Sequence, residues 1–341
     1  MNKNNFKIKL SFVKGLNKIV VKEVKEKTSY KILEQGVDFV YLNFDKNFGK
    51  LFVLKSIGSV SIVLNDLLYN PAYLSKHKSI LKEVIDEIIN KKIDKFSTFK
   101  VSCAGLDSPE VKSISKYIGD EFKLKENVEA DLKINIAKVN DLWEVSVQAT
   151  RRPLSFRSYK IVNMSGAMDP TIAYALNEYC NVKKKKTYLN AFSGSATLLI
   201  EAGLSSQDLE TLVGFDNDKS HLTLAYQNIK QAGLIRRIKL LEHDIYEQPK
   251  IGKFDVIVAD LPFGMVISKN EDLEKMYTAF VNFAENSLEE KGVLGVYTNE
   301  YRLFKEVLDL SKWKIIEEVD LKLPTNVNSY LYPKIFVCKK I

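Results

Sequence analysis

Residues 254–259, Phe-Asp-Val-Ile-Val-Ala, constrain the chain more than any other stretch. Val256, Ile257, Val258 and Ala259 form a continuous apolar run, as in a strand covered on both faces by helices. The run stops abruptly at Asp260-Leu261-Pro262-Phe263-Gly264. Pro262 has no N–H to give to a sheet ladder, so the strand should end there. In open α/β sheets, ligands sit just beyond the carboxyl ends of the strands. Residues 260–263 therefore stand where chemistry would be done.

The surrounding pattern fits such a sheet. Asp169-Pro170 reads as a helix start, continued by Ile172, Ala173, Ala175 and Leu176. Strand patterns then fall at 187–191, 212–215, 238–241, 254–259 and 293–298. Helical patterns run to about 204 and over 219–232, 272–288 and 302–308. This alternation predicts an α/β fold with a doubly wound, mostly parallel sheet. Residues 313–323 and 334–340 add two strands joined without a crossover helix, so these should be antiparallel.

The first half reads differently. Strands are expected at 6–12, 37–44, 50–54 and 59–64, with a helix over 16–24, giving a small α+β unit over 1–65. A helix over 75–90, a strand at 98–104, a helix from Ser108-Pro109 to Phe122 and a hairpin of 131–137 with 142–149 give a second α+β unit over 66–150. Residues 151–165 are expected to be a linker, and 166–341 the α/β domain. The linker carries Arg151, Arg152, Arg157 and Lys160 interleaved with Phe156 and Tyr159. Such a run is either a solvated basic connection or a nucleic-acid contact, its cations meeting phosphates and its aromatics stacking on bases.

Composition sets the outer limits. A chain of 341 residues with 45% hydrophobic and 28% charged residues can bury a sizeable core. No apolar run approaches the ~20 residues needed to span a bilayer. The first residues lack the apolar core of a secretory leader. The three cysteines, Cys103, Cys180 and Cys338, show no CxxC spacing, so neither a disulfide framework nor a zinc site is expected, and a reducing cytoplasm fits. The formal net charge of +8 favours a polyanionic partner, although a general abundance of Lys produces the same balance.

Four successive strand ends carry candidate site residues. The first opens into Asn190-Ala191-Phe192-Ser193-Gly194-Ser195-Ala196-Thr197, a small-residue turn that lets a ligand approach backbone N–H groups at a helix N-terminus. The second ends in Asp216-Asn217; an acid there suits a pair of ribose hydroxyls, the alternative being a helix cap, a role open to Asp218. The third is followed by Asp244-Ile245, where the carboxylate could accept from an adenine amine while Ile245 packs on the ring, the alternative being an ordinary turn. The fourth delivers residues 260–263. The turn is neither GxGxxG nor a phosphate-binding P-loop, so a dehydrogenase or nucleotide hydrolase is a poor fit.

In this order the four motifs resemble class I S-adenosylmethionine-dependent methyltransferases. The resemblance implies that residues 190–197 hold the methionine end of the cofactor, Asp216 the ribose and Asp244 the adenine. It also implies that Asp260-Leu261-Pro262-Phe263 is the tetrapeptide of members acting on exocyclic amines. Ala225, Asn228 and Gly233 follow the same pattern. The variant Leu261, the turn followed by Ile200-Glu201-Ala202, and Arg157-Ser158-Tyr159-Lys160 ahead of the helix containing Pro170 resemble the THUMP-containing RNA guanine-N2 methyltransferases in particular. More faintly, so do Phe12-Val13-Lys14-Gly15-Leu16, residues 98–101, 107–110 and 131–134. The first strand ends in Asn190 where the family has an acid, and Ala196 replaces the second Gly of the turn.

The resemblance implies a Rossmann-like, seven-stranded methyltransferase domain preceded by a ferredoxin-like unit and a THUMP RNA-binding domain. Its catalytic residues would be Asp260, Leu261, Pro262 and Phe263. Its cofactor residues would be Met168, Thr171, Asn190, Phe192, Ser193, Gly194, Ser195, Ala196, Thr197, Asp216, Asn217, Asp244, Ile245 and Asp260. Arg151, Arg152, Arg157, Tyr159 and Lys160 would meet RNA. The resemblance further implies S-adenosyl-L-methionine as cofactor, with no metal, and tRNA as substrate, at a guanosine in or near the acceptor stem. The protein is expected to be a cytoplasmic monomer, an accessory subunit being the alternative. Competing readings are an rRNA guanine-N2 enzyme, a DNA adenine-N6 enzyme and a non-catalytic RNA-binding protein with a vestigial cofactor fold.

Overall fold

The computed structural model describes residues 6–67, 74–92, 94–103, 109–139, 142–263, 273–325 and 329–341. Two compact units result: Met1–Phe12 with Val20–Ser155, and Val13–Ile19 with Phe156–Ile341. The expected cap Ser108, the Asn140-Asp141 turn and Gly264 lie outside the described residues.

The first unit contains β1 (Phe6–Ser11), most of α1 (Asn17–Lys27), β2 (Ile32–Gln35), β3 (Phe39–Asn43), β4 (Ser59–Leu67), α2 (Leu74–Ile89), β5 (Thr98–Cys103), α3 (Pro109–Phe122), β6 (Lys125–Glu126), β7 (Leu132–Val139) and β8 (Leu142–Gln148). Alternation in β1 buries Phe6, Ile8 and Leu10 and leaves Lys7, Lys9 and Ser11 half-buried. All eight strands join one sheet, in the order β2-β3-β1-β4-β8-β7-β5-β6. The expected boundary at 65/66 falls inside β4, because β4 pairs antiparallel with β8 and carries the sheet across it. Residues 50–54 are not a strand. Residues 50–53 belong to a 3-10 helix, Phe48–Val53, whose buried Phe48 and Leu51 recur at its three-residue period, and Leu54 follows it as the C-cap. β2 escaped notice because it is an edge strand with no buried residue.

The second unit contains α4 (Pro170–Tyr179), β9 (Thr187–Ala191), α5 (Thr197–Ser205), β10 (Thr211–Asp216), α6 (Lys219–Gln231), β11 (Ile238–Glu242), β12 (Phe254–Asp260), α7 (Leu273–Ser287), β13 (Leu288–Thr298), α8 (Tyr301–Val307), β14 (Trp313–Asp320), β15 (Leu323–Pro324), β16 (Tyr330–Leu331) and β17 (Lys334–Lys340). Seven strands form its main sheet, in the order β11-β10-β9-β12-β13-β17-β14. The first five are mutually parallel, and β17 runs antiparallel to both β13 and β14. Val256, Ile257, Val258 and Ala259 have no exposure, as a centrally placed parallel strand requires.

The core of this unit is rich in aromatics. Phe280 and Phe283 of α7, Phe304 of α8, Trp313 and Phe336 are all buried, and Phe215 meets Phe283 edge-on at 5.4 Å. On another surface of β13, Gly295 admits α4 closely: a Cβ there would lie 2.4 Å from Cys180 Sγ and 3.1 Å from Leu176 Cδ1. Gly295→Ala should therefore cost roughly 1–3 kcal/mol through overpacking, read as a lower urea midpoint at unchanged slope.

Candidate active site

β9 and β12 are neighbours in space, yet the chain leaves β9 toward β10 and leaves β12 toward β13. The crevice beyond their carboxyl ends is where an open parallel sheet binds ligands. A cleft of about 430 Å³ opens there, within the range of small-molecule sites. All four motif-bearing strand ends line it: Asn190, Phe192, Ser193, Gly194, Ser195 and Thr197 after β9; Asp216 and Asn217 after β10; Asp244 and Ile245 after β11; and Asp260, Leu261, Pro262 and Phe263 after β12.

The turn after β9 is a succession of left-handed residues, with Phe192 at φ 52°, Gly194 at 49° and Ala196 at 65°. It is tied to β10 by Ser193 N–H donating to the Phe215 carbonyl at 2.9 Å, and by Gly194 N–H donating to Asp216 Oδ2 at 2.8 Å. The other Asp216 oxygen accepts from Asp218 N–H at 3.1 Å and lies 3.2 Å from His221 Nδ1. Asp218 caps α6 through Ser220 N–H at 2.7 Å, so Asp216 is not needed there. A carboxylate offers about four acceptor positions, so Asp216 retains capacity for a hydroxyl. Asp244 does cap its short 3-10 helix, accepting from Tyr246 N–H at 2.9 Å, while lining the cleft as well.

Two buried polar atoms on the cleft lining lack a partner among the described residues: Asn190 Oδ1 and Ser193 Oγ. The Asn190 amide nitrogen donates to the Ala191 carbonyl at 2.9 Å, which orients the side chain. An orphaned buried acceptor is costly unless a ligand satisfies it. S-adenosylmethionine fits this lining. Its ammonium would be held by Asn190, its ribose by Asp216, and its adenine by Asp244 and Ile245.

Several expected contacts fall elsewhere. Ala196 is buried and off the cleft lining, so its methyl does not obstruct a ligand. Its left-handed conformation places the cost in backbone strain. Thr171 is buried in the first turn of α4, its hydroxyl on the capping Asp169 at 2.5 Å. Met168 does line the cleft. The basic run divides. Arg151 and Arg152 are exposed in the first unit, Arg151 pairing with Asp131. Arg157 and Tyr159 are turned to a buried carboxylate: Arg157 Nε and Tyr159 Oη both donate to Glu201 Oε1 at 2.9 Å, and Glu201 has no exposure. A fully buried carboxylate must be paired, and these two residues pair it. Lys160 is likewise occupied, donating to the Met168 carbonyl at 3.1 Å.

These anchors shape a wall that the linker reading missed. Val162 exchanges two hydrogen bonds with the Asn228 amide, at 3.2 and 3.1 Å, and Asn228 Nδ2 also donates to the Ser195 carbonyl at 3.2 Å. The following residues, Met164, Ser165, Gly166, Ala167 and Met168, line the cleft, and Met164 Sδ would lie 3.3 Å from a Cβ at position 194. Their only sequence signal was Asn228 itself. His221, His243 and Tyr246 also line the cleft without having been expected to.

Around the tetrapeptide, Leu261 is fully buried and its N–H donates to the Tyr297 carbonyl at 3.0 Å. Tyr277 Oη donates to the Pro262 carbonyl at 2.9 Å and lies 2.7 Å from Thr298 Oγ1. Burial pushes the Asp260 carboxyl up to about 7, against the opposing pull of the Lys160 ammonium. Burial also lowers the Lys160 ammonium, against Asp169 and Asp260. No group of three or more His, Cys, Asp or Glu among the described residues could hold a metal, and all three cysteines are free thiols. Among the described residues, no helix is long and apolar enough to cross a membrane.

The RMKL-like methyltransferase domain model, UPF0020, matches residues 157–328, half of the chain. The chain belongs to this methyltransferase family. Among its relatives, the tRNA (guanine(6)-N2)-methyltransferase of Thermus thermophilus is 27% identical over 244 residues, covering 69% of this chain and 68% of that one. The U6 snRNA (guanine-N(2))-methyltransferase THUMPD2 of Bos taurus is 27% identical over 206 residues, which is 58% of this methyltransferase but only 40% of the relative. The chain thus spans less than half of that bovine protein. The crystal structure of TrmN from Thermus thermophilus superposes with a TM-score of 0.82 at 20% identity, covering 98% of this chain and 100% of that one. The crystal structure of SMU.472 complexed with SAH gives 0.73 at 15% identity, covering 98% of each. These likenesses confirm the class I methyltransferase fold.

Two outcomes follow for the methyltransferase. Arg157→Met should lower stability by about 3 kcal/mol, because it leaves Glu201 buried without its cation; denaturant melts test this, and a loss under 0.5 kcal/mol would contradict the pairing. Asp260 ionises near 4 when unfolded and near 7 when folded, so unfolding releases a proton between those values. Its contribution is full below about pH 4 and is lost as pH rises to about 7. Asp260→Asn should remove that slope, gaining relative stability at pH 8 over pH 4 in urea titrations.

Proposed function

We propose that the chain transfers a methyl group from S-adenosylmethionine to the exocyclic N2 amine of a guanosine in tRNA. The observation that carries this reading is the placement of Asp260-Leu261-Pro262-Phe263 on the wall of a cleft whose other three walls suit the cofactor. The relatives named as tRNA guanine-N2 methyltransferases support the choice of atom and of RNA. When bound, S-adenosylmethionine supplies an electrophilic methyl on a sulfonium, which already carries its leaving group.

The guanine amine is a weak nucleophile because its lone pair is delocalised into the ring. The Asp260 carboxylate and the Leu261 carbonyl would accept from the two amine protons, favouring a pyramidal nitrogen with its lone pair directed into the cleft. Phe263, half-buried on the lining, would stack on the base. Tyr277, held between the Pro262 carbonyl and Thr298, fixes the tetrapeptide, so positioning supplies much of the rate. The target must leave its stack, at a cost of a few kcal/mol, which these contacts offset. Asp260 must be ionised to accept from the amine, so transfer should rise with pH through about 7. The elevated carboxyl then serves as the group that receives the proton once the methylated amine forms.

The first unit would hold the RNA. We read residues 66–150 as its THUMP module and Arg151 and Arg152 as phosphate contacts, with the acceptor-stem region as target and the cytoplasm as the site of action. The exposure of both arginines and the net charge of +8 support this. The vestigial reading loses its main support, since Ala196 lies off the lining and Asn190 keeps an acceptor on it.

The test is methyl transfer from labelled S-adenosylmethionine to unmodified tRNA, rRNA and DNA in parallel, with nucleoside analysis. Label as N2-methylguanosine in tRNA is expected; label only in rRNA or DNA would overturn the substrate. Asp260→Ala should abolish turnover while calorimetry finds cofactor affinity within a few-fold of wild type. Asn190→Ala should instead weaken the cofactor by about ten-fold, the loss of one hydrogen bond to a charged group.

A further inference from the structure

The carboxyl edge of the second unit's sheet carries an additional feature. Asp260 of β12 lies opposite Tyr297 of β13, and Thr298 of β13 lies opposite Lys334 at the start of β17. The connection between β14 and β17 therefore leaves and re-enters the sheet at the edge that bears Asp260. β17 stands two strand spacings from β12, about 10 Å.

The described parts of this connection, 321–325 and 329–333, are tied to each other through the backbone. Leu321 N–H donates to the Pro333 carbonyl at 2.9 Å, Leu323 pairs with Leu331, Pro324 pairs with Tyr330, and Thr325 N–H donates to the Ser329 carbonyl at 2.9 Å. Lys322 forms a bridge with Lys14. On this support Tyr330 and Tyr332 are 51% and 55% exposed, their rings 6.5 Å apart. Lys322 Nζ lies 3.8 Å from the Tyr330 ring centroid and 5.9 Å from that of Tyr332. Among the described residues no carboxylate pairs with Lys322, whereas nearby Lys334 is held by Glu318 and Asp320.

Two large aromatics left side by side in water, around an ammonium with no counter-ion among the described residues, are not explained by folding. They match what a polyanion with flat bases needs: rings that stack on any base and a cation for its phosphate. A protein partner would call for a broader apolar patch. Here the neighbours are Lys322, exposed Pro324 and exposed Ser329.

We propose that Lys322, Tyr330 and Tyr332 form a second RNA contact on the methyltransferase unit, the tyrosines stacking on a base that flanks the target guanosine and Lys322 meeting a phosphate. The contact holds the strand beside the cleft once the target has left its stack. It rests on the RNA-methyltransferase reading above.

The experiment compares wild-type protein with Tyr330→Ala/Tyr332→Ala, Tyr330→Phe/Tyr332→Phe and Lys322→Gln. It measures KM for tRNA, kcat at saturating tRNA, and calorimetric affinity for S-adenosylmethionine. The alanine pair should raise KM roughly ten- to hundred-fold, with kcat changed far less and cofactor affinity within two-fold. The phenylalanine pair should stay within about two-fold of wild type, since stacking survives. Lys322→Gln should flatten the salt dependence of KM. An active wild type with unchanged KM in the alanine pair overturns the platform alone. Lost cofactor affinity in the alanine pair would make the tyrosines structural and also overturn it. A wild type that methylates no RNA overturns the underlying reading and the platform together.

Discussion

Glu201 is the interaction on which the site depends. A carboxylate with no access to water must be neutralised or paired, and α5 carries this one in its interior-facing middle. Arg157 and Tyr159 supply the pairing. That requirement pulls the chain preceding α4 against the sheet's carboxyl edge. The Asn228 amide then fixes Val162 and the Ser195 carbonyl together. Residues 164–168 are left with nowhere to run except along the cleft. What composition suggests is a basic linker is, in the folded chain, part of the active-site wall.

The parallel sheet supplies the other half of the arrangement. Opposite exits from β9 and β12 create the crevice, and four strand ends deliver the Asn190 amide, the Asp216 and Asp244 carboxylates, and residues 260–263 to it. Around Asp260, the Lys160 ammonium opposes the effect of burial, while the Tyr277 hydroxyl and the Tyr297 main-chain carbonyl hold the backbone of residues 261 and 262. The same burial that raises its carboxyl destabilises the fold at neutral pH. Function and stability therefore pull in opposite directions at one residue.

Much of this was legible in the chain. The apolar run at 256–259, the break at Pro262 and the alternation after 187 dictated the parallel sheet and its functional edge, because burial on both faces and a missing N–H are local properties of residues. Asp216, Asp244 and the turn at 190–197 were legible for the same reason: they follow strand ends at fixed places. The 3-10 helix at 48–53 and the edge strand at 32–35 were not, since neither carries a burial pattern that separates it from a strand or a loop.

Tertiary structure alone decided the fate of the basic run. Nothing in Arg157-Ser158-Tyr159-Lys160 distinguishes phosphate-facing groups from buried ones, because the carboxylate that claims Arg157 and Tyr159 lies 44 and 42 residues away on another element. It also decided that Ala196 is buried off the cleft lining, in a left-handed conformation. The same holds for the N-terminal strands, which join one sheet through β4 and β8 rather than two. The sequence by itself determined the order of strands and the chemistry at their ends, which depend on near neighbours. Which charges are buried, and which segment walls the cleft, depend on partners brought together only when the chain folds.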